Sequence, residues 1–277
     1  MSGRLARAGL LIAGLALACA AGSSASVRPR KHNAARRERS TASEVVVPRG
    51  QPVEIAFAND PGIGFASDLA NAVQMAVDAE PDVRGFPVRV NVVNAATCGN
   101  PPTAAAAAVG AANAITADRQ NVAVLGQVCS FGFAQALPIY ESAGVVTITG
   151  SATSPSLPAA APTVFDRTTV DDTSFDTWYA TVSTLPSDLA WRQAYSRRFG
   201  TAPSEFADLY YDAATLLIRD LQRVSRIDSL HNLVVSREDL ATMVRSTTGF
   251  QGVSCTVTID ASTGNRIDDP IALAKCA

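Results

Sequence analysis

The chain has 277 residues, a formal charge of −2, 47% hydrophobic side chains and five cysteines. That composition excludes wholesale disorder. Only two histidines are present, His32 and His231, which argues against a histidine-rich zinc site. Five cysteines also leave at least one thiol outside any internal disulfide.

Arg4 and Arg7 flank the start of an apolar run, Ala8 to Ala18. The run is too short to cross a bilayer as a mature helix, and it reads as a secretory signal over residues 1–18. The chain is therefore expected to be exported, to a periplasm or cell surface. Leu15-Ala16-Leu17-Ala18-Cys19 resembles a lipobox, with Cys19 as the lipid-bearing residue. The alternative is an ordinary cut after Ala20 or Ala25 that discards Cys19. Either cut leaves four cysteines, Cys98, Cys129, Cys255 and Cys276. Residues 19–50 read as a disordered tether, with six basic residues between Arg28 and Arg39. Residues 1–40 hold eight Lys/Arg and one Glu, a net of +7; the rest holds 15 Lys/Arg and 24 Asp/Glu, a net of −9. An acidic body disfavours nucleic acid as a partner, and membrane contact is expected only through the lipid anchor and basic tether.

The folded part is read as one domain over residues 51–277. Pro52 to Asn59 alternates apolar and polar and ends at the turn Asp60-Pro61-Gly62. Gly64 to Ala79 has helical spacing. Pro87 to Asn94 alternates as a strand, and Pro101-Pro102 open an Ala-rich helix to Ala117. Asn121 to Gly126 is an apolar strand, Phe131 to Ala143 a helix with Gly144 at C′, and Val145 to Ile148 a buried strand. Val164 and Phe165 begin a further strand. This alternation predicts an α/β fold with a doubly wound parallel sheet. Right-handed crossovers then gather four loops at one ligand-binding edge: Asp60–Phe65, Ala95–Asn100, Gln127–Phe131 and Thr149–Pro155.

The second half is mostly helical. Asp188 to Phe199 and Ser204 to Arg226 are predicted helices. Ser236 is a predicted N-cap for a helix to about Arg245. Gly252 to Ile259 and Ile271 to Cys276 are strand-like.

Three stretches carry a family resemblance. Val122 to Leu157 reads VAVLGQVCSFGFAQALPIYESAGVVTITGSATSPSL. Arg192 to Leu217 reads RQAYSRRFGTAPSEFADLYYDAATLL, and Phe250-Gln251-Gly252-Val253 precedes Thr256–Asp260. In this order they closely resemble the solute-binding proteins of branched-chain amino-acid ABC importers, of the type I periplasmic-binding fold. Val164-Phe165-Asp166-Arg167-Thr168 resembles the segment leading to that family's first hinge crossing, near Asp171–Asp172. There the usual chain enters a second lobe of more than a hundred residues. Here Thr173 to Pro186 leads almost directly into the returning helix. The resemblance therefore implies lobe 1, in residues 51–172 and 187–250, a strand appendage in 251–277, and most of lobe 2 missing.

The resemblance also implies a disulfide between Cys98 and Cys129, with Cys255 and Cys276 following as a second pair. It carries over Ser130, Ser151, Ala152 and Thr153 as contacts to an amino acid's α-carboxylate, through hydroxyls and backbone N–H groups. Ser130 reads equally simply as a helix N-cap. Phe65 falls near an aromatic that lines the family pocket, and it reads as readily as a core residue of the first helix. The side chain that pairs with a ligand's ammonium comes from lobe 2 in that family, so no residue here corresponds to it.

No nucleophile elbow, P-loop, dinucleotide fingerprint or HExxH motif is present, so no enzyme, cofactor or metal is expected. Asp171, Asp172 and Asp176 read as a solvated hinge remnant, and His231 as an exposed loop residue. The expectation is a solute-binding protein that holds an amino acid or similar carboxylate weakly, for an ABC permease. The alternative is an interaction protein, or a remnant without transport, whose exposed lobe-1 face takes a second protein.

Overall fold

The structure, a computed structural model, describes residues 43–169, 171 and 189–267. Every described residue belongs to one compact unit. The signal, Cys19, Asp172, Asp176, Cys276 and the strand-like Ile271 to Cys276 lie outside the described residues.

The central strand is β2 (Val53–Asn59), buried along its whole length. Ile55 and Phe57 pack into one apolar cluster, Ala56 and Ala58 into another on the opposite face. Its apparent alternation therefore does not mark a solvent face: Glu54 is buried and meets Arg89 across the sheet. Helix α1 (Ala66–Ala79) lays Leu69, Val73 and Val77 on the first face. A turn containing β3 (Asp82–Val83) leads to β4 (Phe86–Asn94). Helix α2 (Pro101–Ala117) buries Ala104, Ala108, Ala111 and Ala112. Strand β5 (Asn121–Gly126) and helix α3 (Ser130–Ala143) follow, and Gly144 ends the helix in the left-handed region at φ 62°. Glycine adopts that conformation without a Cβ penalty. Next come β6 (Thr147–Thr149), the short α4 (Leu157–Ala160) and β7 (Phe165–Arg167).

The sheet order is β3-β4-β2-β5-β6-β7. All neighbours are parallel except β3 with β4. The first strand of the parallel set thus lies between the second and the third, so the direction of winding reverses between β2 and β5. In such sheets the crevice outside the carboxyl ends at that point receives the ligand.

After residue 188 the chain returns as α5 (Leu189–Phe199) and α6 (Ala207–Val224), and α6 completes the first apolar face with Leu209, Ala213, Leu216 and Leu217. Only residues 168–188 separate β7 from α5. Among the described residues there is one parallel sheet. Strands β8 (Arg226–Ile227) and β9 (Leu233–Ser236) lead to α7 (Arg237–Arg245), whose N-cap Ser236 accepts from the Asp239 N–H as expected. Strands β10 (Phe250–Gly252) and β11 (Cys255–Val257) form an antiparallel hairpin in place of the single strand expected from Gly252 to Ile259. The turn is held by buried Asp212 on α6, which accepts from the N–H groups of Val253 and Ser254, both at 2.8 Å. Two of the family-like stretches are therefore joined by one carboxylate.

One boundary moves. Glu44–Val47, placed in the tether by sequence, is strand β1, paired antiparallel with β9. Val45 and Val47 are buried and Val46 is exposed. A four-residue strand beside a basic segment gives too short an alternation to stand out, and only pairing with β9 makes it stable.

Asp166 in β7 is fully buried against Arg245 at the end of α7, with Nε donating to Oδ1 at 2.6 Å. Burial pushes this carboxyl up to about 7, although Arg245 opposes the shift. A folded value above the unfolded one means that folding takes up a proton. Stability from this group is complete below about pH 4 and is lost as pH rises through 7. Between pH 5 and 8 the wild type should lose about 2–3 kcal/mol relative to D166N. Paired urea melts at the two pH values check this; parallel curves would refute it.

Candidate ligand-binding site

The four loops expected at one edge do meet there, through specific bonds. Asp60, buried at the end of β2, accepts from Gly62 N–H at 2.9 Å and from Cys98 N–H at 2.7 Å. Cys98 is disulfide-bonded to Cys129, as expected. Thr97 Oγ1 accepts from the Cys129 N–H at 3.2 Å. Gly132 lets α3 approach this loop closely, because a Cβ there would lie 2.7 Å from that of Thr97. Cys255 is also disulfide-bonded, and its expected partner Cys276 lies outside the described residues.

The fourth loop is joined through hydroxyls. Thr149 Oγ1 donates to Gln127 O at 3.1 Å and accepts from the N–H groups of Ser151 at 3.2 Å and Ala152 at 3.1 Å. The Ser151 hydroxyl donates to Val128 O at 2.8 Å. Its one proton is thereby used, so buried Tyr210 donates to Ser151 Oγ, at 3.1 Å. Ser151 and Ala152, carried over as ligand contacts, are therefore already committed within the protein.

The other two carried-over residues are differently placed. Ser130 is the first residue of α3, and the N-cap is Cys129, so Ser130 is not the cap that one reading expected. Its Oγ accepts from the Ser154 N–H at 3.1 Å, which leaves its own proton free to donate. That bond also brings the neighbouring Thr153 to the amino end of α3. Thr153 is half-buried, and neither its N–H nor its hydroxyl has a hydrogen-bond partner among the described residues. The first N–H groups of a helix lack intrahelical acceptors and favour an anion. The edge therefore presents two hydroxyls and a set of N–H donors, groups that suit a carboxylate. Phe65 stands at the start of α1, half-buried, with its ring 6.0 Å from that of Phe206. It belongs to the core margin as much as to the edge.

Sequence reasoning missed Arg167. Its side chain is fully buried, and Nη1 donates to both Ala152 O and Ser154 O at 3.2 Å, on either side of Thr153. Nε and Nη2 donate to Asn265 Oδ1 at 3.0 and 2.6 Å. Asp171 is 3.6 Å away and accepts from Asn265 Nδ2 at 2.9 Å. The signal lay in an arginine within an apolar strand sequence, Val164-Phe165-Asp166-Arg167, where a charge needs a dedicated set of acceptors. His231 is exposed in the β8–β9 loop, as expected. Among the described residues no cluster of His, Cys, Asp or Glu could hold a metal, and no helix is long and apolar enough to cross a membrane.

No protein-family model and no curated protein matches the sequence. Solved structures do match. One is a putative branched-chain amino acid ABC transporter protein from Rhodospirillum rubrum: TM-score 0.63, 13% identity, over 78% of this chain and 95% of that one. Another is a branched-chain amino acid transporter substrate-binding protein from Streptococcus pneumoniae, in complex with isoleucine: TM-score 0.59, 13% identity, 78% and 94% covered. A third is a solute-binding protein of an ABC transporter from Rhodopseudomonas palustris, in complex with 3,4-dihydroxybenzoic acid: TM-score 0.60, 11% identity, 78% and 90% covered. The described segments before and after residues 172–188 pack against the same parallel sheet. The parallel sheet, its switch point and these likenesses together give the chain the type I periplasmic-binding fold.

Proposed function

We propose that this chain is an exported solute-binding protein of the ABC-importer type that holds a small carboxylate without chemistry. The observation that supports this best is the bond from Ser154 N–H to Ser130 Oγ, which sets Thr153 beside the amino end of α3 with donors to spare. Two structures of the same fold hold carboxylates, isoleucine and 3,4-dihydroxybenzoic acid, and their common group is the one this array suits. A lipid on Cys19 and delivery to a permease belong to the same reading. One lobe covers one side of a ligand, so affinity rests on a few hydrogen bonds worth about 1 kcal/mol each. Binding in the millimolar range follows.

The test is thermal unfolding of the mature chain with benzoate, L-isoleucine and chloride, each at millimolar concentration. A rise in Tm with a carboxylate and not with chloride is expected. T153V should remove most of that rise while leaving the unliganded Tm within a degree or two, since the Thr153 hydroxyl bonds nothing in the fold. No rise with any carboxylate would refute the reading.

A further inference from the structure

We infer that Arg167 is a positioning residue for the ligand's carboxylate, sending its charge to the ligand through the Ala152–Thr153 peptide. This rests on the carboxylate-binding reading above and names what supplies its counter-charge. Arg167 heads the set of large, fully buried side chains in this fold. Its hydrogen-bond acceptors are all neutral: the carbonyls of Ala152 and Ser154 and the amide oxygen of Asn265. Asp171, the nearby carboxylate, is 3.6 Å away and 42% exposed, so water screens much of its effect. Burying a guanidinium against neutral groups is costly. Burial lowers its pKa to about 10, which leaves it charged at neutral pH. A tie between two loops does not need that charge.

The hydrogen-bond geometry gives the charge an outlet. The Ala152 carbonyl that accepts from Arg167 belongs to the same peptide unit as the Thr153 N–H. A cation on the oxygen polarises the unit and strengthens its N–H as a donor, as in any chain of hydrogen bonds. That N–H has no partner among the described residues, while its neighbours at Ser151 and Ala152 are taken by Thr149. The Ser154 carbonyl is followed by Pro155, which has no N–H, so the second Arg167 bond fixes the loop without opening a second route. Thr153 is thus held from both sides, with its open N–H on the path from the buried charge.

The experiment compares benzoate with benzamide, which keeps the shape and loses the charge. Affinities are read by NMR titration of the wild type, R167Q and R167K. The wild type should prefer benzoate, and R167Q should reduce the benzoate-to-benzamide affinity ratio about tenfold. R167K keeps the charge and should hold the ratio within about threefold, although it loses stability through the missing fork. A purely structural role would lower both affinities together, and an unchanged ratio in folded R167Q would overturn the assignment. If R167Q does not fold, the wild type carries the test. Benzoate must then move the Thr153 amide and the Arg167 Nε–H resonances together, and a Thr153 shift with Arg167 unmoved overturns it. If the wild type binds no carboxylate, the underlying reading falls and the assignment with it; loss of discrimination alone bears on Arg167.

Discussion

Replacing Cys98 and Cys129 together by serine is expected to lower the unfolding free energy by about 3–4 kcal/mol. The bond closes a loop of 31 residues in sequence. In the chain-entropy model a closure of that size restricts the unfolded ensemble by this amount. The bond also joins two of the four edge loops, so its loss acts on the site as well as on the fold. The hydrogen bonds from Cys98 N–H to Asp60 and from Cys129 N–H to Thr97 are backbone donors and survive the substitution. The double variant should therefore fold, with a lower urea midpoint and weaker benzoate binding. The urea midpoint, measured oxidised and reduced for both proteins, checks this. Reduced wild type should match the reduced variant, because Cys255 is disulfide-bonded in both until reduction. A variant with the wild-type midpoint would show that the loops stay together without the bond.

The sheet was legible because its strands are either wholly apolar or bounded by turn residues. Asn121–Gly126 was placed to the residue, and Asp60-Pro61-Gly62 and Pro101-Pro102 set their neighbours' boundaries to within a residue or two. Helix ends with a chemical signature were also readable, as at Gly144 and Ser236. Strand β1 was not, because four residues cannot show which partner they will find. The hairpin of β10 and β11 was read as one strand because its turn, Val253-Ser254, carries no glycine or proline. It turns there because Asp212, more than forty residues earlier, supplies the acceptor.

The site was legible in outline, and its hydrogen bonding was not. Resemblance put Ser130, Ser151, Ala152 and Thr153 in one place, and the bonds of Ser130 and Ser151 to the facing loops agree. Resemblance gives positions, however, and hydrogen bonds depend on where each donor points. A threonine two and three residues before an open loop can take the loop's N–H groups on its own hydroxyl. Thr149 does so at Ser151 and Ala152, which turns two expected ligand contacts into structural ones. That pattern, Thr149-Gly150-Ser151, is visible in the sequence. Arg167 was hidden for another reason. Its acceptors come from loop 152–154 and from Asn265, so only the folded chain brings them to one guanidinium.

T149V tests which of these views of the loop is right. Valine keeps the shape of threonine and removes its oxygen, here fully buried. Three hydrogen bonds are lost, one donated to Gln127 O and two accepted from Ser151 and Ala152. Two buried N–H groups and one carbonyl are then left without their partner, each at about 1–3 kcal/mol. The loop escapes part of that cost by turning its N–H groups towards water, so a net loss of about 3–4 kcal/mol is expected. The same movement frees the two donors that the fold now withholds from a ligand. T149V should therefore be much less stable in urea and yet keep its carboxylate binding, with the amides of Ser151 and Ala152 now shifting on benzoate addition. In the wild type, Thr153 and Ser130 should shift and those two should not. If Ser151 and Ala152 respond to benzoate in the wild type as strongly as Thr153 does, then Thr149 releases them on binding. The carboxylate site would then be the four-residue set that the resemblance implied, and the two-hydroxyl site drawn from the hydrogen bonds would fail.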